Sequence, residues 1–352
     1  MNTIKSQVLK YIPPLLVNAE FYDAFAEIPD KMNTNFPDPA WTYARKTKDG
    51  GTMPQTIAHR GYKAKYPENT MGAFRGAVEV GADAIETDIH LSKDDVVVLS
   101  HDATLKRCFG TDEKIIDCEW EYLQTLHTIK EPHEPLPRLV ELLTYLASPG
   151  LEDKWLLLDI KLDSDADTVM RLIADAIFSV PPNPSKPWNQ RIVLGIWAAK
   201  YLPLCSHYLP DFPISHIGFS TIYARQFLRV PNVSFNLLQK ILYICPRFIK
   251  DAHALKRAVF VWTVNEDEMM RWSIKHKTDG VITDDPKRFQ EVKNEWVAGN
   301  RSTETSWVTL AQVIWIHLMV SVFGAIFRWK YGSMDRVKKS ETRRLKAMPL
   351  KA

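Results

Sequence analysis

Between Thr56 and Thr283 two kinds of hydrophobic pattern alternate along the chain. Short aliphatic and β-branched runs are separated by longer stretches whose apolar residues return every three or four positions, the mark of repeated βα units and a parallel sheet. The predicted strands are Thr56–His59, Ala84–His90, Val96–His101, Trp155–Lys161, Ile192–Trp197, Ser215–Phe219, Val233–Phe235, Val259–Val264 and Gly280–Thr283. Predicted helices between them include Asn69–Val80, Leu139–Ala147, Thr168–Phe178, Tyr223–Arg229, Lys250–Lys256 and Asp267–His276. Eight such units close an α/β TIM (β/α)8 barrel, so one extended run is surplus. Val233–Phe235, the shortest, is expected to be ancillary. A doubly wound open sheet is the competing architecture, but no GxGxxG turn follows the first strand.

Both ends break the pattern. Residues 1–53 carry Pro13, Pro14, Pro29, Pro37 and Pro39 without a sustained period and read as an irregular lead-in that could lie along the barrel or a membrane. Its apolar stretch Tyr11–Val17 is short, broken by proline and lacks a small-residue cleavage site, so it is not read as a signal peptide. Residues 54–295 form the expected barrel domain. Residues 307–327 (Trp307 to Phe327) then run without a formal charge for the length needed to cross a hydrocarbon core, with Trp307 and Trp329 placed for the interfacial zones. A core helix would show polar residues at every turn, so this is expected to be a membrane segment, weakened as a span by Gln312 and His317.

Residues 328–352 hold nine Lys or Arg against Asp335 and Glu341, a basic tail suited to anionic lipid rather than nucleic acid. By charge bias the tail stays cytosolic. A catalytic domain on the same side requires a hairpin or a segment lying in one leaflet, whereas a tail-anchored span would carry the tail across. Composition changes little else: 45% hydrophobic and 25% charged residues exclude a disordered or collagen-like chain of 352 residues. Cys108, Cys118, Cys205 and Cys245 include no CxxC pair, so they read as ordinary thiols of a cytosol-facing domain.

Four short motifs fall at the predicted strand ends where a barrel carries its active site: His59-Arg60-Gly61, Glu86-Thr87-Asp88, His101-Asp102 and Asp159-Ile160-Lys161. Glu86 and Asp88 are two apart on one strand and share a face; Asp159 and Lys161 repeat that spacing. Three carboxylates converging at one mouth repel one another unless a divalent cation neutralises them, and oxygen-only ligands favour Mg²⁺ or Ca²⁺ over zinc. His59 and His101 remain as acid and base, while Arg60 and Lys161 can hold a phosphate.

The motifs HRGYKAKYPENT (59–70), ETD (86–88), LSHD (99–102), LDIK (158–161), VWTVNE (261–266) and DGVITDDP (279–286) resemble, in order, the signatures of the glycerophosphodiester phosphodiesterase family. The resemblance spans Thr56 to Gln290. It implies His59 and His101 as the acid–base pair, Arg60 and Lys161 on phosphate, and one divalent cation on Glu86, Asp88 and Asp159. Asp159 stands where the wider family usually has glutamate. Glu68 and Asn69 are expected to cap the first barrel helix, Trp262 to wall the substrate pocket, and Asp284 and Asp285 to be structural.

Together with the apolar segment and basic tail, the chain is similar to the fungal phosphatidylglycerol phospholipase C branch. That implies cleavage of a phospholipid to diacylglycerol and glycerol phosphate at a membrane, on the cytosolic face of the endoplasmic reticulum, a lipid droplet or a mitochondrion. The alternatives are a glycerophosphodiesterase or lysophospholipase D, a sphingomyelinase D-like enzyme, disfavoured by VWTVNE and ITDDP, and an inactive membrane-bound scaffold, disfavoured by the retained histidines and carboxylates.

Overall fold

The computed structural model describes residues 35–331, residue 49 excepted. Its centre is a ring of eight parallel strands: β1 (Gln55–His59), β2 (Ala84–Leu91), β3 (Trp155–Ile160), β4 (Ile192–Ile196), β5 (Ile214–Gly218), β6 (Ser234–Leu238), β7 (Val259–Trp262) and β8 (Gly280–Thr283). Each pairs with the next, and β1 pairs with both β2 and β8, so the sheet closes into the expected TIM barrel. Around it run α1 (Met71–Glu79), α2 (Leu139–Leu146), α3 (Ala166–Ser179), α4 (Leu202–Tyr208), α5 (Thr221–Phe227), α6 (Gln239–Ile244), α7 (Arg247–Ala254), α8 (Asp267–Lys275) and α9 (Pro286–Val297). Alternate strand residues fill the lumen: Ile57, Trp155, Leu157, Val193, Phe260 and Ile282 form one buried cluster, which makes the interior a packed core rather than a pore.

The surplus extended run is not the one expected. Ser234–Leu238 is a full barrel strand, β6, in register with both neighbours, and its polar Ser234 and Asn236 are buried, which disguised it as a loop. Val97–Leu99 is the extra strand: it folds back antiparallel on the end of β2, with Ile89 opposite Leu99. The connection Ser92-Lys93-Asp94-Asp95 is far too short for a parallel crossover and suits a hairpin.

Of the lead-in, only residues 35–53, without residue 49, are described. Residues 1–34 lie outside the described part, but Trp41 and Tyr43 pack on the lumen cluster at the N-terminal ends of the strands, with Trp41 edge-on to Trp155 at 5.5 Å. The Gln55 side-chain amide donates to the Trp41 and Tyr43 carbonyls at 2.8 and 2.9 Å. This segment closes the floor of the barrel and leaves the C-terminal mouth open to chemistry. After α9 the chain forms α10 (Trp307–Tyr331), 25 residues long and apolar enough to cross a membrane by length and composition alone. It is one turn longer than the predicted segment. Of the basic tail, residues 332–352 lie outside the described part. All four cysteines are free.

Candidate active site

The mouth gathers seven of the eight side chains singled out from the sequence around β1, β2 and β3, and the eighth, Trp262, stands at the end of β7. Glu86 and Asp88 project from β2, and Asp159 sits opposite Asp88 in the β2–β3 register. One oxygen from each lies within 4.8 Å of the others, and all three residues are buried. The Trp197 indole N–H, just past β4, donates to Asp159 Oδ1 at 2.6 Å. The Lys161 ammonium stands 2.6 Å from Asp88 and 2.7 Å from Asp159, while the Arg60 backbone N–H donates to Glu86 at 3.0 Å.

Burial, then the charges of Asp88 and Asp159, push the Glu86 carboxyl well above its ordinary value. Asp88 goes the other way: burial opposes ionisation, but Lys161 and Arg60 overcome it and hold the carboxyl low. The lysine therefore compensates only part of the cluster. A set of buried oxygen donors, one of them reluctant to ionise, fits a hard divalent cation, which would relieve the remaining repulsion.

Two histidines flank this cluster, each with a carboxylate behind it. His59 ends β1, and its Nδ1 donates to Asp284 Oδ1 at 2.6 Å. His101 follows the hairpin strand, and its Nδ1 donates to Asp102 Oδ1 at 2.7 Å. A carboxylate only accepts, so both rings must carry their proton on Nδ1 and leave Nε2 for other work. Burial holds both imidazoles below their ordinary 6.5, with the carboxylates pulling partly upward. The hairpin explains how His101 arrives: Ser100 donates its backbone N–H to the Asp88 carbonyl at 3.1 Å, and His90 Nε2 lies 3.1 Å from the His101 carbonyl.

Several supporting residues differ from expectation. Asp284 is not merely structural, since it orients His59 and accepts from Asn265 at 2.9 Å. Asp285 does act structurally: it caps α9 by accepting the Arg288 N–H at 2.9 Å. The cap of α1 is Thr70 rather than Glu68 or Asn69. Asn69 instead takes a left-handed backbone, φ 53°, and donates its amide to Asp88 at 2.9 Å. Glu68 is clamped between Arg60 at 2.8 Å and Arg107 at 2.7 Å; burial opposes its charge, yet the two guanidiniums bring its carboxyl down to about 2. Trp262 is half-buried, 5.8 Å from the Trp197 ring, and also packs on the lumen cluster. It therefore serves core and mouth together.

A TIM barrel whose C-terminal mouth holds two histidine–carboxylate pairs and a cation-fitting carboxylate cluster defines a class: a hydrolase of phosphoric diesters. Residues 59–288 match the model of the Glycerophosphoryl diester phosphodiesterase family, well over half of the chain, and the chain belongs to that family.

Over 238 residues it is 27% identical to the glycerophosphodiester phosphodiesterase of Caldanaerobacter subterraneus, covering 66% of this chain and 94% of that protein. Over 304 residues it is 24% identical to Lysophospholipase D GDPD1 of Rattus norvegicus, covering 74% of this chain and 92% of that one. Among solved structures, the glycerophosphodiester phosphodiesterase of Thermotoga maritima aligns with a TM-score of 0.54 at 27% identity, covering 68% of this chain and 98% of that one. An Oleispira antarctica phosphodiesterase, solved in complex with the product sn-glycerol-3-phosphate, aligns with a TM-score of 0.60 at 19% identity, covering 68% and 97%, a likeness of fold alone.

Proposed function

We propose that this protein hydrolyses phosphatidylglycerol by a phospholipase C-type cleavage that yields diacylglycerol and glycerol phosphate. The observation that carries the chemistry is the pair of Nδ1-anchored imidazoles on either side of the carboxylate cluster. Glu86, Asp88 and Asp159 would hold one Mg²⁺ or Ca²⁺, which when bound supplies positive charge against the phosphoryl oxygens. His59 and His101 act as acid and base, and Arg60 and Lys161 hold the phosphate.

The headgroup of phosphatidylglycerol is a glycerol whose free hydroxyl lies beside the ester. One imidazole takes the proton of that hydroxyl as its oxygen bonds to phosphorus. The bond from phosphorus to the diacylglycerol oxygen breaks, and the other imidazolium protonates the leaving alkoxide. Water then opens the cyclic glycerol phosphate with the two rings exchanging roles. Association with a membrane through α10 and the basic residues after it supplies the reason to prefer an intact lipid.

A second reading shares every one of these groups. The rat relative is named a lysophospholipase D, and a lysolipid also carries a free hydroxyl beside its phosphate ester; attack there would expel the polar alcohol instead. The two readings separate in a product assay in detergent micelles, offering phosphatidylglycerol, phosphatidylinositol, lysophosphatidylcholine and glycerophosphocholine, each with and without EDTA. Diacylglycerol from phosphatidylglycerol alone, lost with EDTA and in His59→Ala, is the expected result. Turnover of only the lysolipid or deacylated substrates would overturn the substrate and keep the site, and silence on all four would favour an inactive scaffold.

A further inference from the structure

Helix α10 is docked lengthwise on the barrel, at both ends. Near its start, Thr309 donates its hydroxyl to Glu268 at 2.9 Å, and Tyr243 lies 3.0 Å from Thr305 just ahead of the helix. Near its end, Phe327 meets the rings of Phe219 and Tyr223, each at 5.5 Å, and Lys200 sits over Tyr331 at 6.0 Å. Between them Gly324 passes close to Ser220, where an added Cβ would lie 3.7 Å away. The inward positions Leu310, Val313, Val320, Gly324, Phe327 and Tyr331 are buried or half-buried and recur every three or four residues, or a multiple of that, over the whole length. All the barrel partners follow β4, β5, β6 or β7, so α10 lies along the rim of the catalytic mouth.

The opposite face is what a soluble domain does not show. Val308, Trp315, Leu318, Val322, Ile326 and Trp329 are each more than half exposed and form a second stripe at helical spacing. Such a continuous apolar patch marks an interaction surface. Charge identifies its partner: Arg328 and Lys330 end the helix, and seven more Lys or Arg follow by residue 352 against Asp335 and Glu341. A basic cluster continuous with an apolar stripe complements an anionic bilayer surface.

The helix would be about 37 Å long at ~1.5 Å per residue, enough to cross. Crossing, however, would drag the charged rim to which both ends are fixed through the hydrocarbon, where its ions would lose their hydration with nothing to replace it.

We infer that α10 lies in the plane of one anionic leaflet, its outer stripe among the acyl chains and its inner stripe on the barrel, with the catalytic mouth opening at the headgroup layer. From this helix to the carboxylate cluster the path is short and aromatic: Phe327 to Phe219 at 5.5 Å, Phe219 to Trp197 at 6.3 Å, and Trp197 to Asp159 by hydrogen bond. A lipid enters along those rings without leaving the bilayer. The inference deepens the lipid-substrate reading above and rests on it for the reason a mouth should face a membrane; the two fail in different assays.

The test uses the full chain on sealed vesicles of phosphatidylcholine with and without phosphatidylglycerol, and Ser302→Cys and Ser340→Cys variants labelled from outside by a membrane-impermeant maleimide mapped by mass spectrometry. The expected result is flotation with the anionic vesicles and labelling of both positions without detergent. Val322→Glu with Trp315→Glu, and Leu318→Glu separately, should reduce vesicle partitioning by more than roughly tenfold, with melting temperature and micellar turnover kept. A position labelled only after detergent would show a crossing helix and overturn the inference. So would equal partitioning of the glutamate variants, or no flotation of the wild type, which would leave the stripe to a protein partner. Failure of phosphatidylglycerol turnover in micelles with flotation intact would sink the substrate reading and not the membrane geometry.

Discussion

Asp284 and Asp102 anchor the two imidazoles in the same way, and Asp285, one residue on, caps a helix instead. Burial lowers the His59 pKa and Asp284 partly restores it. Removing the carboxylate therefore lowers the pKa further, so whichever limb of the kcat/KM profile reports His59 is expected to move to lower pH in Asp284→Asn. The rate should fall by roughly 10- to 100-fold, less than the ~10²–10⁴ attached to the acid–base group itself. Asp285→Asn is the control: it should leave the pH profile in place and cost only about 1 kcal/mol or less of stability.

Glu86 makes the opposite kind of case. Its folded pKa lies above the ordinary 4.5, so its penalty is absent below that pH and grows as pH rises toward the folded value. Metal-free Glu86→Gln is thus expected to melt at or above the wild-type temperature at neutral pH, and to lack the rise in melting temperature expected of the wild type on adding a divalent cation.

At the scale of elements, periodicity alone exposed the alternation of strands and helices, and strand-end position exposed the histidines and carboxylates. What it could not expose came from pairing. Asp284 is 225 residues from His59 in the chain and becomes its neighbour only because β8 closes on β1. Trp197 reaches Asp159 across 38 residues because β4 pairs alongside β3. The exchange of β6 for the hairpin had another source: Ser234 and Asn236 look like loop residues until the lumen that buries them exists.

Between β1 and α1, Gly61 holds φ 79° and an added Cβ would lie 2.7 Å from the Ala73 carbonyl carbon. Gly61→Ala is expected to cost about 1–3 kcal/mol through both strain and overlap, and to lower turnover by displacing His59 and Arg60. Calorimetry and micellar kinetics on the one variant check both halves.

For the molecule as a whole, the floor is shut by Trp41 and Tyr43, and the mouth shares its rim with α10. A helix fixed to the barrel at both ends leaves the two no swivel relative to each other. With α10 seated in a leaflet as inferred above, the enzyme would meet a lipid substrate as a body sliding over a surface, so the search would be two-dimensional and each departure would require peeling off the entire outer stripe at once. Turnover should then be confined to whichever vesicle an enzyme first occupies. With vesicles in large excess over protein, hydrolysis is expected to stall once the outer leaflets of the occupied vesicles are consumed, and to resume when fusion or detergent mixes the lipid; a progress curve that runs on smoothly would mean the protein hops.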